Sequence, residues 1–380
     1  MKSRLFSPLT LRGTTLPNRI VVSPMSQYSA HEGLANDWHL VNYGKFAQAG
    51  VGMVMVETAA VEARGRVTHG DLGLWSNDHV APLSRVATFI RSQGAIPGIQ
   101  LGHAGRKGSI QRPWEGYGFL TETDALRGEL PWRTIAPSAL PAAKGWPEPA
   151  AMSDVQMREV TAAWEAAARR AARAGFEVLE IHCAHGYLLH EFLSPIANLR
   201  GDAYGRGASG RVTYPLEIVK RLRAVWPSDK PLMCRVSAID GSDGGYGIDD
   251  TVEFARELKN AGVDVVACSS GGISGLATLA NRLQHGLGHQ VAYAEKIRRE
   301  ARVSTMADGL IADPVHADGV LESGQADLIG IGREALYNPN WALHARQVLE
   351  ADGFDAWPRQ YGWWLSNRAN GLGALHTPET

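Results

Sequence analysis

Eight short apolar runs, separated by stretches with helical patterning, constrain this chain more than any other feature. They are NRIVVSPM, VGMVMVETAAV, AIPGIQLGH, FEVLEIHCAH, PLMCRVSA, DVVACSSGG, VSTMADG and DLIGIGREAL. Their apolar residues are consecutive rather than alternating, the pattern of strands buried on both faces, as in a parallel sheet. Parallel neighbours need long crossovers, and the helical stretches supply them. Ser153 followed by Gln156 predicts a capping box, TAAWEAAARRAARAG carries the helix onward, and Gly175 stops it just before the fourth run. Asp249 or Asp250 is expected to cap a helix running to Gly262.

Eight β–α units predict an α/β fold, a closed (β/α)8 TIM barrel spanning 1–380, with an N-terminal hairpin. An open doubly wound sheet is the competing architecture, but the G-x-G-x-x-G fingerprint expected after its first strand is absent. Residues 104–152 form a Pro/Gly/Trp-rich excursion after the third strand, on the face where a barrel keeps its active site. Two readings of it stay open: a lid, or a structural loop with its own satellite cluster. Residues 357–380 are expected as a C-terminal extension.

A chain of 380 residues, 44% hydrophobic, can bury a core of this size, and a formal net charge of −1 gives no electrostatic reason to expect nucleic acid or an anionic membrane as partner. Without the apolar core of a signal peptide or a membrane-length run, the protein is expected to be soluble and cytoplasmic. Cys183, Cys234 and Cys268 lie in separate apolar runs with no C-x-x-C pair, so they are expected as buried thiols.

In a barrel, polar residues at the carboxyl ends of strands are the site candidates. These are Ser26 and Tyr28, Thr58 and Ala60, Gln100 and His103, then His182, His185 and Tyr187, followed by Arg235, Gly309, Gly332 and Arg333. The H-x-x-H of His182 and His185 could place two imidazoles near one ion, with Asp240 or Asp308 as carboxylate ligands. Neither acid comes at a metal-site spacing, so no resident metal is expected. Histidines that merely satisfy buried backbone groups are the bland alternative, and His190 is expected to be structural.

The organic reading uses two imidazole N–H donors to polarise one carbonyl oxygen, with Tyr187 as a neutral acid for a carbanionic carbon. That chemistry needs hydride, which no side chain donates, so a cofactor is implied. Backbone amides at Gly309 and Gly332 with the Arg333 cation match the phosphate site many barrels build after their last strands. Arg235 at the barrel mouth is expected to meet an anionic group, since an unpaired charge there would be costly. A reduced flavin is such a group, and Gln100, both donor and acceptor, suits its pyrimidine edge.

The ordered set LFSPLTLRGTTLPNRIVVSPM, QLGHAGRK, APSAL, HCAHGYLLHEFLSP, RVS and LIGIGRE resembles the old yellow enzyme family of FMN-dependent ene-reductases, particularly its bacterial thermophilic-like class, to about Trp364. The resemblance implies that FMN is held at Ser23, Pro24, Met25, Ser26, Ala60, Gln100, Arg235, Gly309, Gly332 and Arg333. It implies that His182 and His185 hold the substrate carbonyl, that Tyr187 donates a proton and that Tyr28 touches substrate. The implied reaction is reduction of activated C=C bonds in enones or nitroalkenes by NADPH or NADH, in a possible homo-oligomer.

This sequence departs from that class in places. Ser26 stands where a cysteine is usual, and Trp363 follows Gln360, Tyr361 and Gly362 where the class often carries an arginine that enters a neighbouring subunit's site. Asp308 stands where an apolar residue is common, and it is expected to face away from a bound phosphate. An oxidative demethylase on the same scaffold, a metal-dependent barrel hydrolase using His182 and His185, and a flavin-binding protein without turnover are the competing functions.

Overall fold

The floor of the molecule is an antiparallel hairpin, Leu9–Leu11 with Thr14–Leu16, whose Leu11 and Leu16 enter an apolar layer inside the sheet above. This computed structural model describes residues 3–275, 286–350 and 352–375; the last five residues of the expected C-terminal extension lie outside that range. Eight parallel strands rise from the floor: β1 (Ile20–Val22), β2 (Met53–Ala60), β3 (Ile96–Gly102), β4 (Val178–Cys183), β5 (Leu232–Ser237), β6 (Val265–Ser269), β7 (Ser304–Ala307) and β8 (Leu328–Ile331). Each pairs with the next and β8 pairs with β1, so the expected closed barrel is the observed one.

Helices α1 (Asp37–Gln48), α2 (Val80–Ser92), α3 (Asp154–Arg173), α4 (Gly207–Val225), α5 (Ile248–Asn260), α6 (Val291–Ala301), α7 (Pro314–Glu322) and α8 (Trp341–Glu350) form the outer layer. The two-residue period of each strand sends alternate side chains to two different cores. Val54, Val56, Leu179, Ile181 and Cys234 pack outward against helices, while Met53, Met55, Val178, Met233 and Met306 fill the barrel interior above the hairpin. Cys183, Cys234 and Cys268 are buried free thiols, as expected.

Ser153 caps α3 as expected, with Gln156 returning the bond to the Ser153 amide at 3.0 Å. Gly175, at φ +89°, supplies the left-handed turn that ends it. The start of α5 differs: Gly247 is the N-cap, and Asp250, inside the first turn, reaches back to the Gly247 amide at 2.9 Å. An acid in that position satisfies an orphan amide from within the helix, so it marks the first turn rather than the cap.

A register shift interrupts the β2–β3 ladder between Val56 and Ala59. This bulge turns Glu57 toward α1, where it accepts bonds from Tyr43 Oη (2.8 Å) and the Gln27 amide (2.7 Å). The next residue, Thr58, faces the other way and bonds Gln100.

Residues 104–152 run over the carboxyl end of the barrel with short helical turns, the longest Glu122–Arg127, a bridge between Ile110 and Phe119 and a two-residue pairing, Ile135–Ala136 with Ala150–Ala151. Val67, Ala104 and Ile110 form a small separate cluster there, against which Tyr117, Trp146 and Tyr187 pack. After α8 the described residues include a further helix, Arg359–Leu375, on which Trp363 and Trp364 are exposed. Among the described residues no helix is long and apolar enough to cross a membrane.

Candidate active site

One period above the methionine layer, the inward positions become polar. Gln100, Glu180, Arg235 and Asp308 meet at the barrel mouth, all buried. Gln100 donates to Glu180 (2.8 Å) and accepts from Thr58, so both ends of its amide already have protein partners. Asp308 does not face away. Ser23 Oγ donates to its Oδ1 at 2.5 Å, and its Oδ2 lies 3.1 Å from Arg235 Nη1. The reason is space: a Cβ on Gly330 would meet Asp308 Oδ1 and Ser23 Oγ, so the glycine in β8 opens the seat the carboxylate occupies.

Arg235 therefore has a protein counter-ion, which corrects the expectation that only a bound anion would offset its charge. Burial alone would lower its pKa, but the charges of Asp308 and Glu180 hold it above its ordinary value. Glu180 is pushed up to about 7 by burial, against the pull of Arg235. The pairing is incomplete. Arg235 Nη1 and Asp308 Oδ2, though 3.1 Å apart, do not meet in hydrogen-bond geometry, and Glu180 Oε2 is likewise buried without a hydrogen-bond partner. Buried polar atoms are normally satisfied, so one donor and two acceptors here point to a ligand edge carrying both kinds of group.

Beside this cluster, the end of β4 brings together the three residues singled out by spacing. The ring centroids of His182 and His185 lie 5.1 Å apart, and those of His182 and Tyr187 4.9 Å, both edge-to-face. His182 Nδ1 accepts the Ala184 amide at 3.2 Å, which leaves the neutral ring's proton on Nε2. His185 Nε2 lies 2.7 Å from Ser269 Oγ, and Gln290 donates to the same hydroxyl at 3.3 Å. Ser269 Oγ, which accepts from Gln290, has its own proton free to give to Nε2, the arrangement that would put the His185 proton on Nδ1. Burial is the main cause that holds both imidazoles well below their usual pKa; the Arg235 charge adds to it at both, and at His185 the cost of charging two adjacent rings together adds more. Each ring is thus a neutral donor of one N–H. Burial, reinforced by Tyr117 and Asp71, raises the Tyr187 phenol well above its ordinary value, so it stays protonated.

Ser26, Thr58, Ala60, His103 and Tyr187 line one cleft. Tyr28, held at φ +51°, stands edge-on to Trp114 of the excursion at 6.2 Å. Ser23, Met25 and Gly332 share one sector of the rim: the Ser23 amide bonds Ile331 O, and Gly332 lies beside Met25; Gly309, at φ +102°, sits against His289 and Gln290. Pro24 sits between Ser23 and Met25, and Arg333, exposed, opens the short helix Arg333–Tyr337. His103 is tied to Glu62 at 2.8 Å and to the Gly105 amide, a structural arrangement. Among the proposed metal ligands, Asp240 is taken up by His190 (2.8 Å), Ser194 (2.6 Å) and the Tyr246 amide (2.7 Å), which makes His190 structural, as expected.

Three polar residues escaped the sequence reading. Glu180 signals itself only as an acid inside an apolar run, Ser269 only as the last residue of one, and Lys107 reads as a surface lysine.

The model of the NADH:flavin oxidoreductase / NADH oxidase family matches residues 4–352. The chain is 41% identical over 351 residues to an NADPH dehydrogenase of Geobacillus sp. (strain WCH70), covering 92% of this chain and 95% of that one. It is 40% identical over 354 residues to an NADPH dehydrogenase of Bacillus subtilis (strain 168), covering 93% and 97%. Among solved structures, morphinone reductase superimposes with a TM-score of 0.75 at 22% identity, over 92% of this chain and 90% of that one. The old yellow enzyme of Trypanosoma cruzi does so with a TM-score of 0.74 at 22% identity, over 91% and 92%. The chain belongs to the NADH:flavin oxidoreductase / NADH oxidase family, the old yellow enzymes, and is an FMN-dependent oxidoreductase that takes electrons from NAD(P)H.

Proposed function

We propose that this enzyme reduces the C=C bond of α,β-unsaturated carbonyl and nitro compounds. The unsatisfied donor and acceptors on Arg235, Glu180 and Asp308 suit the pyrimidine edge of a flavin, with Gln100 beside them. Ser23 to Ser26 and Ala60 would flank the ring, and Gly309, Gly332 and Arg333 would hold the phosphate. When bound and reduced, FMN supplies a hydride to the substrate's Cβ.

The protein's part is electrostatic and acid–base. His182 Nε2–H and His185 Nδ1–H donate to the substrate carbonyl oxygen and stabilise the negative charge that grows there as Cβ is reduced. Tyr187 gives its phenolic proton to Cα and regains one from water, so the product is the saturated ketone. Tyr28 and Trp114 form an aromatic wall for the substrate, and the excursion that carries Trp114 is steadied by its own small cluster around Val67, Ala104 and Ile110. The observation that carries this reading is the cluster of two neutral N–H donors and a protonated phenol, with centroids 5.1 and 4.9 Å apart.

The test is product analysis. FMN-loaded protein given NADPH and 2-cyclohexenone without oxygen is expected to form cyclohexanone in step with the NADPH consumed. NADPH oxidation that leaves the enone intact, or flavin reduction by an N-methylated amine in place of NADPH, would overturn the reading.

A further inference from the structure

We propose that Lys107 is a positioning residue for the carbonyl clamp: bonded to two backbone carbonyls, it holds His185 in the strained conformation that presents its imidazole to the substrate. This rests on the clamp reading of His185 given above.

Lys107 closes the turn Gly105–Lys107 after β3 and is 2% exposed. Its Nζ donates to His185 O at 2.9 Å and to Gly272 O. Among the described residues it has no ion-pair contact with a carboxylate. Its hydrogen bonds go to carbonyls alone, and the charge of Glu191 offsets only part of the effect of burial, so a lysine in this position is costly to keep and calls for a reason. Burial, with Arg106 adding to it, lowers its pKa to about 7.

The reason lies in the next turn over. His185 has φ +61° and Gly186 φ +72°, two left-handed residues in succession, and the first carries a Cβ that resists this conformation. His185 is therefore held from outside. Its N–H donates to Ser237 Oγ at 2.9 Å, its carbonyl accepts from Lys107, and its ring bonds Ser269. A Cβ on Gly186 would lie 2.8 Å from Lys107 Nζ, so the ammonium occupies room that the glycine leaves open. Without Lys107, the His185 carbonyl loses its buried donor and the turn can relax, carrying the imidazole away from its partner His182. Arg106 anchors the loop after β6 separately, through Ile273 O at 2.8 Å, so that loop should not depend on Lys107.

The test compares Lys107→Met, Lys107→Gln, His185→Ala and the double variant Lys107→Met/His185→Ala in FMN-loaded protein. Binding of 4-hydroxybenzaldehyde is read from the flavin absorbance, and FMN affinity is measured by titrating the apoprotein. Lys107→Met is expected to weaken the phenol about ten-fold, the scale of one lost buried hydrogen bond, without changing FMN affinity. Lys107→Gln, which keeps a shorter donor, should be intermediate, and it serves as the readout should Lys107→Met fail to fold. The double variant should bind no more weakly than His185→Ala, because Lys107 acts through His185. If His185→Ala loses phenol binding while the Lys107 variants keep it, or if the two losses multiply, this inference is overturned alone. If His185→Ala binds phenol as tightly as the wild type, the clamp reading falls and the inference falls with it.

Discussion

The floor and the mouth of the barrel are built from the same strands, one structural period apart, and they have opposite chemistry. On β4 the inward sequence is Val178, Glu180, His182; on β5 it is Met233, Arg235, Ser237; on β7 Met306 is followed by Asp308. A step of two residues, roughly 6.6 Å, converts a methionine layer sealed by a hairpin into a layer of buried charge. The floor is lined by an apolar layer that includes Met53, Met233 and Met306, while the mouth leaves Arg235 Nη1, Asp308 Oδ2 and Glu180 Oε2 unsatisfied. The first layer can contribute packing alone, whereas the second carries the cost of buried polar atoms left unsatisfied.

The largest expected break of this contrast comes from leaving one charge of the mouth alone. Arg235→Met strands Asp308 and Glu180 in the interior and is expected to cost about 3–5 kcal/mol in urea unfolding of the apoprotein, along with FMN retention. The double change Arg235→Met/Asp308→Leu should recover much of the stability and none of the FMN affinity. That split separates the pair's two roles.

In the floor, Met233→Ala removes packing only. It should cost about 2–5 kcal/mol by the same unfolding measurement, with FMN affinity unchanged. Loss of FMN affinity in proportion to stability would mean that the two layers are not separable.

The pH dependence of stability should come from the upper half. Burial raises Glu57 to about 8, Glu191 to about 8 and Glu180 to about 7, above their value in the unfolded chain. The folded state thus binds more protons between pH 4.5 and about 8, and stability falls as pH rises through that window, by roughly 1.4 kcal/mol per unit for each carboxyl kept neutral. Lys107, lowered to about 7, acts in the opposite sense, and its contribution rises between pH 7 and 10.5. Glu57→Gln should flatten the decline; an unchanged slope would mean that Glu57 is ionised in the fold.

The smallest effect is expected at the edge of the mouth. Trp114 is 62% exposed, so Trp114→Ala should change stability by less than about 0.5 kcal/mol while altering the KM for bulky enones through its contact with Tyr28.

The barrel was legible because both faces of its strands are buried and each run is therefore continuously apolar. The β4 cluster was legible because a strand end followed by a tight turn keeps sequence neighbours together in space. The direction of Asp308 was not, because it depends on the missing Cβ of Gly330, a residue on another strand. The occupied carbonyl of Gln100 follows from a bulge in β2 that shifts Thr58 inward, and register shifts leave no periodic signature. Lys107 was missed for a similar reason. Nothing local distinguishes a buried lysine from an exposed one when its partners are carbonyls of other loops.

The central claim, that Tyr187 is the acid that completes carbon reduction, is tested most directly by stopped-flow measurement of the two half-reactions in Tyr187→Phe. Flavin reduction by NADPH needs no phenolic proton and should keep a rate close to that of the wild type. Oxidation of the reduced enzyme by 2-cyclohexenone should slow by about 10²–10⁴-fold, the usual weight of a general acid. Equal slowing of both steps, or an enone step as fast as in the wild type, would contradict the account.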